Sequence, residues 1–427
     1  MKKVVKKIAL LLIVFGIGVG VTLYTNNKYK VYDEEEPKQI MKHVDTISMM
    51  IETEAKSGNY ELTTASSWPT EGYVFNNKLS KCENGGELSW DDTNKKVLMS
   101  GNVSDKCYVY FDIYVPPTVV SDVCNGGETL STCITTLSQN STSSYTNIYH
   151  HDSALANGAG DNSYRYAGAN PNNYVCFGIN TTPCPTDNLY RIIGVFGDQV
   201  KLIKYDYATS TLLGTDGDYK GTGTPNASYY KGSLTTINTY YWNKATSKNT
   251  WSESNLNKVN LNTNFINNIR SEWAAKIAET TWKVGGNTFA NIGTQPAKTA
   301  YQNEIVSPVT TNTTDGATEH SAKIGLMYVS DYMYAASQDK WTLVGNGSAT
   351  TDYRAATSVN WMYMGFGDWT ISRIADNSSS VFGMYSTGYV DYGYVGGNSG
   401  CRPSFSLLSS TTYVSGSGSA SDPMVIN

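Results

Sequence analysis

The stretch Tyr190-Arg191-Ile192-Ile193-Gly194-Val195-Phe196-Gly197-Asp198-Gln199-Val200-Lys201-Leu202-Ile203-Lys204 decides how the larger part of this chain is read. Two runs of strand-forming residues flank Gly197-Asp198, a pair suited to a tight turn, so the segment predicts a β-hairpin. Downstream, Leu256, Val259, Leu261, Phe265 and Ile269 give residues 251–270 an imperfect helical period, with Ser252 or Ser254 placed to cap it. Residues 324–329 read as a buried strand, and Ser330-Asp331 is placed to cap a short helix reaching Ala336. Strand runs then alternate with glycine turns as far as Met424-Val425-Ile426-Asn427. The expectation is one mixed, β-rich α+β domain over 185–427.

Upstream, residues 118–184 read as a turn-rich linker carrying cysteines, with an almost wholly polar surface run at 139–147. Residues 31–117 read as an amphipathic helix followed by a small antiparallel β module. Asp33-Glu34-Glu35-Glu36-Pro37 places acids and a proline in a first helical turn, and Ile40, Val44, Ile47 and Ile51 follow as a stripe. Glu87-Leu88-Ser89-Trp90 and Lys96-Val97-Leu98-Met99 flank a turn at 91–94, and residues 107–114 alternate as a strand. Residues 1–30 carry four lysines ahead of an apolar run at 8–24. That pattern predicts an N-terminal transmembrane anchor, with a cleaved signal peptide as the competing reading, and leaves the bulk of the chain extracellular.

The composition fits export. Of 32 basic and 37 acidic residues, six lysines and no acid lie in residues 1–30, leaving 26 against 37, a net of −11. Such a surface disfavours nucleic acid and anionic lipid as partners of the body of the chain. Seven cysteines fall as Cys82 and Cys107, Cys124 and Cys133, Cys176 and Cys184, with Cys401 alone. Three local disulfides are the simplest pattern among the 15 connectivities six cysteines allow, and each closed loop contributes about 2–4 kcal/mol. No Cys-x-x-Cys occurs and only four histidines exist, so no metal or other cofactor is expected. His150-His151 reads as a solvated pair, and Asp216-Gly217-Asp218 as a polar turn lacking the ligands of a calcium loop. No Gly-x-Ser-x-Gly elbow, phosphate-binding glycine loop or His-Glu-x-x-His is present, and the acids are too scattered to pair as a glycosidase dyad.

The order of apolar helix, amphipathic helix and "SKCENGGELSW…SDKCYVYFD" resembles the layout of type IV pilins and pseudopilins among exported proteins of Gram-positive bacteria. It departs from them where a prepilin has its cleavage glycine, since Lys7-Ile8 stands there. In the larger domain, "NLYRIIGVFGDQVKLIKYD", "TWSESNLNKVNLNTNFINNI", "IGLMYVSDYMYAAS", "DWTISRIADNSSSVFGMYSTGYV", "CRPSFSL" and "VSGSGSASDPMVI" occur in that order. Together they resemble bacterial surface domains distantly similar to sulfatase-modifying factors, the formylglycine-generating variant of the C-type-lectin-like fold. The resemblance implies a twisted antiparallel sheet holding irregular loops, with Arg402 in a buried ion pair or hydrogen bonds and Pro403 opening a strand. It does not carry the oxidase chemistry over. Those enzymes use a pair of cysteines to bind copper, and this region offers Cys401 alone.

The strongest functional signal is aromatic. Trp361 and Trp369 bound one run, Trp-Met-Tyr-Met-Gly-Phe-Gly-Asp-Trp, and Tyr385, Tyr389, Tyr392 and Tyr394 punctuate the next. Tyrosine offers large contact area with a polar tip, and Ser, Gly and Asn adapt around it, as in recognition loops. The resemblance implies the same C-terminal loops as a ligand surface. The sequence therefore predicts a membrane-anchored, non-catalytic adhesin for an extracellular glycan or protein. A pilin-like filament subunit is the first alternative and an oxidase of the sulfatase-modifying type the second.

Overall fold

A computed structural model describes residues 47–55, 57–69, 71–100, 105–114, 120–139, 147–309 and 317–427. The anchor expected at 1–30, the first part of the amphipathic helix and most of the polar run at 139–147 lie outside them. Among the described residues no helix is long and apolar enough to cross a membrane. The chain divides into two compact units, Met1–Pro116 and Pro117–Asn427.

The first unit contains β1 (Ile47–Glu52), β2 (Tyr60–Leu62), β3 (Tyr73–Phe75), β4 (Lys81–Cys82), β5 (Glu87–Asp91), β6 (Lys96–Ser100) and β7 (Cys107–Ile113). β7 is its spine. Cys107, Val109 and Phe111 are buried while Tyr108 and Tyr110 are half-exposed, the alternation of a strand with one covered face. β3 and β4 pair antiparallel with β7, and the Cys82–Cys107 disulfide ties β4 to it. β5 and β6 form the expected hairpin, closed where the Asp91 carboxylate accepts the Asn94 N–H at 3.1 Å.

Two expectations are corrected here. Residues 47–52 are strand, where the isoleucine stripe predicted helix, and β1 runs parallel to β7, so the module is mixed and not purely antiparallel. A four-residue Ile47–Ile51 spacing suits either period, and the unpaired side of β7 offers a complete ladder from Ile47↔Cys107 to Ile51↔Phe111. Glu52 ends β1 inside the fold, accepting the N–H groups of Gly58 and Ile113.

In the second unit a helical turn at Val120–Val123 precedes helix α1 (Leu130–Gln139), then come β8 (Ile148–His150), β9 (Tyr164–Tyr166), β10 (Tyr174–Cys176), β11 (Leu189–Phe196) and β12 (Gln199–Lys204). Next come the pair β13 (Tyr219–Gly223) and β14 (Ile237–Tyr240), then β15 (Thr280–Lys283), β16 (Gly286–Asn287) and β17 (Glu319–Ala322). Helix α2 (Val329–Tyr334) is followed by β18 (Asp368–Ile374), β19 (Ser380–Met384), β20 (Val390–Tyr394), β21 (Ser404–Ser406), β22 (Tyr413–Ser415) and β23 (Val425–Ile426). One sheet has the order β21-β12-β11-β9-β8 with β10 also on β11, and another the order β16-β18-β19-β20. The unit is α+β and strand-rich, as expected.

The predicted hairpin is β11–β12, with Phe196 opposite Gln199 and Gly197 at φ +64° in the turn. Gly194 is required by packing, because a Cβ there would lie 2.3 Å from the Tyr164 carbonyl of β9. The imperfect period at 251–270 also has a cause. Leu256–Phe265 is π-helix, and its buried Leu256, Leu261 and Phe265 recur at five and four residues, a spacing set by i→i+5 bonding. Ser254, one of the two proposed caps, accepts the Asn257 N–H. The buried segment ahead of α2 is extended with a single bridge, Gly325 to Ser404, where a strand was expected.

Residues 118–184 are not a linker. Leu130, Cys133, Ile134 and Leu137 of α1 are fully buried in the same core as β11 and β12, and β8, β9 and β10 are members of the larger sheet. The polar look of this stretch reflects its many turns, while Leu130, Ile134, Leu137, Ile148, Val175 and Phe177 are buried. Cys124–Cys133 and Cys176–Cys184 are disulfide-bonded as the spacing suggested. Ile134→Ala is therefore expected to destabilise the second unit by about 2–5 kcal/mol, the range for truncating a buried aliphatic side chain. Denaturant unfolding followed by fluorescence of the second unit's tryptophans checks this, and an unchanged midpoint would restore the linker reading.

Candidate functional site

The site is built on the second half of the four-stranded sheet. All seven residues of β18 are buried, and β19 lies against it with Asp368↔Met384 and Trp369↔Gly383 in register. β20 follows antiparallel on β19. The Trp369 indole donates its N–H to the Tyr240 carbonyl at 2.8 Å, which fixes the ring. Its six-membered edge lies over Gly393, where a Cβ would stand 2.9 Å from Cζ3. Gly383, Gly393 and Gly397 line a groove beside the ring.

The groove has a volume of about 450 Å³. Trp369, itself only 4% exposed, forms part of its wall, Tyr385 and Tyr394 are its exposed lips, and Phe366 also lines it. Tyr385 is 42% exposed and Tyr394 50%. Asn226, Ser386, Asn398 and Ser399 supply polar groups. Phe366 is held from behind, where Tyr207 packs edge-to-face on it at 5.6 Å and donates its hydroxyl proton to the Phe366 carbonyl at 2.9 Å. Gly365 is needed there, since it adopts φ +79° and a Cβ would strike the Tyr229 carbonyl.

Beneath the groove lies an ion pair. Arg402 donates from Nε to Asp368 Oδ2 at 2.5 Å and from a terminal nitrogen to the Met362 carbonyl at 2.8 Å. This is the buried partner that the resemblance implied for Arg402, and Pro403 does precede β21. Burial outweighs Arg402 and raises the Asp368 carboxyl to about 6, so it is ionised at neutral pH. Its Oδ1 is buried without a hydrogen-bond partner. Cys401, next in the chain, is fully buried and its thiol is pushed well above the usual range, which makes it an inert core residue.

Of the six aromatic residues predicted as a binding face, the fold brings Trp369, Tyr385 and Tyr394 together. Tyr389 stands behind Tyr385, stacked on it at 4.9 Å, with the Arg354 guanidinium 4.6 Å from its ring. It positions the lip. Tyr392 is 50% exposed but leans on Phe289 away from the groove. Trp361 is as buried as Trp369, at 4% exposed, but lies outside the groove lining, donating to the Tyr166 carbonyl with Arg191 over its ring. Phe366 falls between Trp361 and Trp369 in the sequence but was not among the residues predicted for the face. Asn226 lies about 140 residues upstream, and nothing local in the sequence points to it.

The histidine pair divides. His150 is half-exposed and stacks on Tyr164, whereas His151 is fully buried, its Nδ1 accepting the Ala159 N–H at 3.0 Å. The solvated reading therefore fails for His151: the cage of Tyr334 and Trp341 excludes water from the ring. Asp218 is likewise buried, receiving the N–H groups of Lys244 and Leu256, and serves as a tie between segments. A second concavity, lined by Lys258, Glu279, His320 and Lys323, is about 350 Å³ and carries no Phe, Tyr or Trp. Comparison with known protein families, curated proteins and solved structures returns no match for this chain.

Two measurements follow from these buried titratable groups. Burial depresses the His151 pKa to about 2, so the fold holds the ring neutral while the unfolded chain protonates it near 6.5. Its contribution is complete above pH 6.5 and is lost progressively as the pH falls toward 2, about 2–3 kcal/mol by pH 4.5. His151→Leu should lower stability at pH 7 yet flatten its decline between pH 6.5 and 4.5; parallel wild-type and variant curves would refute the assignment. Asp368→Asn should cost about 3–5 kcal/mol by stranding the Arg402 charge, and Asp368→Asn with Arg402→Met should recover much of that loss. Chemical denaturation of both variants checks it.

Proposed function

We infer that this chain is a membrane-anchored, extracellular recognition protein that binds a glycan or a protein at the cell surface without chemical turnover, through the aromatic groove of its second unit. The observation that carries this reading is the groove itself. Two half-exposed tyrosines, a half-buried phenylalanine and a rigid tryptophan wall converge with amide and hydroxyl groups in one concavity, within the size range of small-ligand sites. Scattered surface tyrosines do not produce that convergence.

Further support comes from the lysine-led apolar N-terminal segment, the acidic balance and the three disulfides, which suit an oxidising exterior. The resemblance to C-type-lectin-like surface domains belongs to this proposal, and it favours the same C-terminal loops. A non-catalytic reading is favoured because the groove's one carboxylate, Asp368, is locked by Arg402 and no other acid, histidine or lysine lines the groove. The buried, high-pKa thiol of Cys401 argues against the oxidase alternative.

The test is a screen of the full chain against immobilised glycans and extracellular proteins, repeated with Tyr385→Ala and Tyr394→Ala together. Both side chains are substantially exposed, so the unfolding midpoint should stay within a few degrees while binding to the principal hit falls at least tenfold. Binding that survives the double substitution would remove the groove from the function.

A further inference from the structure

We propose that the ligand of the groove is an uncharged saccharide whose C–H face stacks on the Tyr394 and Tyr385 rings. This names the ligand class for the reading above and rests on it. Three features of the site argue for it together.

The first is shape. A protein partner of ordinary stability occupies roughly 800 Å² of each surface, whereas this site is a local concavity bounded by glycine backbone and two tyrosine lips. It is built to enclose a small unit or the end of a chain. The second is the alternation of rings with groups that both donate and accept. The Asn398 and Asn226 amides and the Ser399 hydroxyl offer both roles, which is what a ring of hydroxyls demands, since each sugar hydroxyl also does both. Sugar C–H bonds, weakly positive, meet the negative faces of the tyrosine rings, which carry large contact area at small rotamer cost.

The third is charge. The lining contains no lysine, arginine or histidine, and its one acid is the buried Asp368 paired with Arg402. A uronate, sialate or phosphate entering the groove would lose its hydration with no cation to replace it. It would also approach a buried carboxylate whose Oδ1 is without a partner. An anionic glycan is therefore disfavoured and a neutral one is not.

The experiment uses the full chain in a zwitterionic detergent free of sugar headgroups. It is applied to an array of neutral tetrasaccharides (glucose, mannose, galactose and N-acetylglucosamine series) beside tetragalacturonate and sialylated tetrasaccharides. At least one neutral series should bind, with Tyr394→Ala weakening it tenfold or more and Tyr394→Phe, which keeps the ring, within about threefold. Asn398→Lys, a substitution at an exposed position, should gain binding to tetragalacturonate that the wild type lacks. Preference for the acidic probes, lost in Tyr394→Ala, would overturn the neutral-saccharide inference and leave the groove as the binding site. Failure of every saccharide alongside a protein hit that Tyr385→Ala with Tyr394→Ala abolishes would do the same. Saccharide binding indifferent to all these substitutions would overturn both.

Discussion

The Asp368–Arg402 pair is the contact on which the rest of the site depends. Asp368 opens β18 of the four-stranded sheet, and Arg402 stands two residues before β21 of the six-stranded one, so a single buried bond at 2.5 Å joins the two layers. Arg402 also holds the Met362 carbonyl, which anchors the loop leading to Phe366. Burying an ion pair is an expensive way to gain stability, and an apolar pair of equal volume would often do better. What the pair supplies instead is a fixed relation between β18, the incoming loop and the edge of the other sheet. The Trp369 wall and the tyrosine lips take their positions from that relation.

A second buried set of charges plays the same part elsewhere in the unit. Asp331 receives Lys201 of β12 at 2.5 Å and lies 3.7 Å from Arg165 of β9, while also accepting the Tyr328 N–H at the start of α2. Glu304 caps the same helix by accepting the N–H groups of Val329 and Ser330, and Ser372 of β18 donates to it. Burial raises the Glu304 carboxyl above its ordinary range. Helix, large sheet and small sheet are thus tied through ionic and capping contacts, with Phe196, Trp282 and Tyr328 around the Lys201 ammonium.

How far this was legible in the sequence depended on the range of the interactions involved. The β11–β12 hairpin, the β5–β6 hairpin and the three local disulfides are short-range features, and their residues announced them. The expectation failed at Ile47–Glu52, where two periods fit the same isoleucines and only the distant β7 decides between them. It failed again over 118–184, where a polar composition concealed four buried α1 side chains. In the groove, Trp369, Tyr385 and Tyr394 were visible as an aromatic cluster, but nothing in the chain distinguished them from Trp361. The Trp369 and Trp361 indoles are buried to the same degree; what separates them is that Trp369 packs on Gly393 and lines the groove, while Arg191 lies over Trp361. Asn226 and the Asp368–Arg402 bond are long-range pairings that no local pattern encodes.

The central claim is that the groove meets the ligand, and amide hydrogen exchange across the full chain tests it most directly. With the cognate surface ligand bound, protection should rise in residues 365–369, 383–386 and 393–399 and stay unchanged around Lys258 and His320. Protection confined to that second concavity, or to the first unit, would contradict the account.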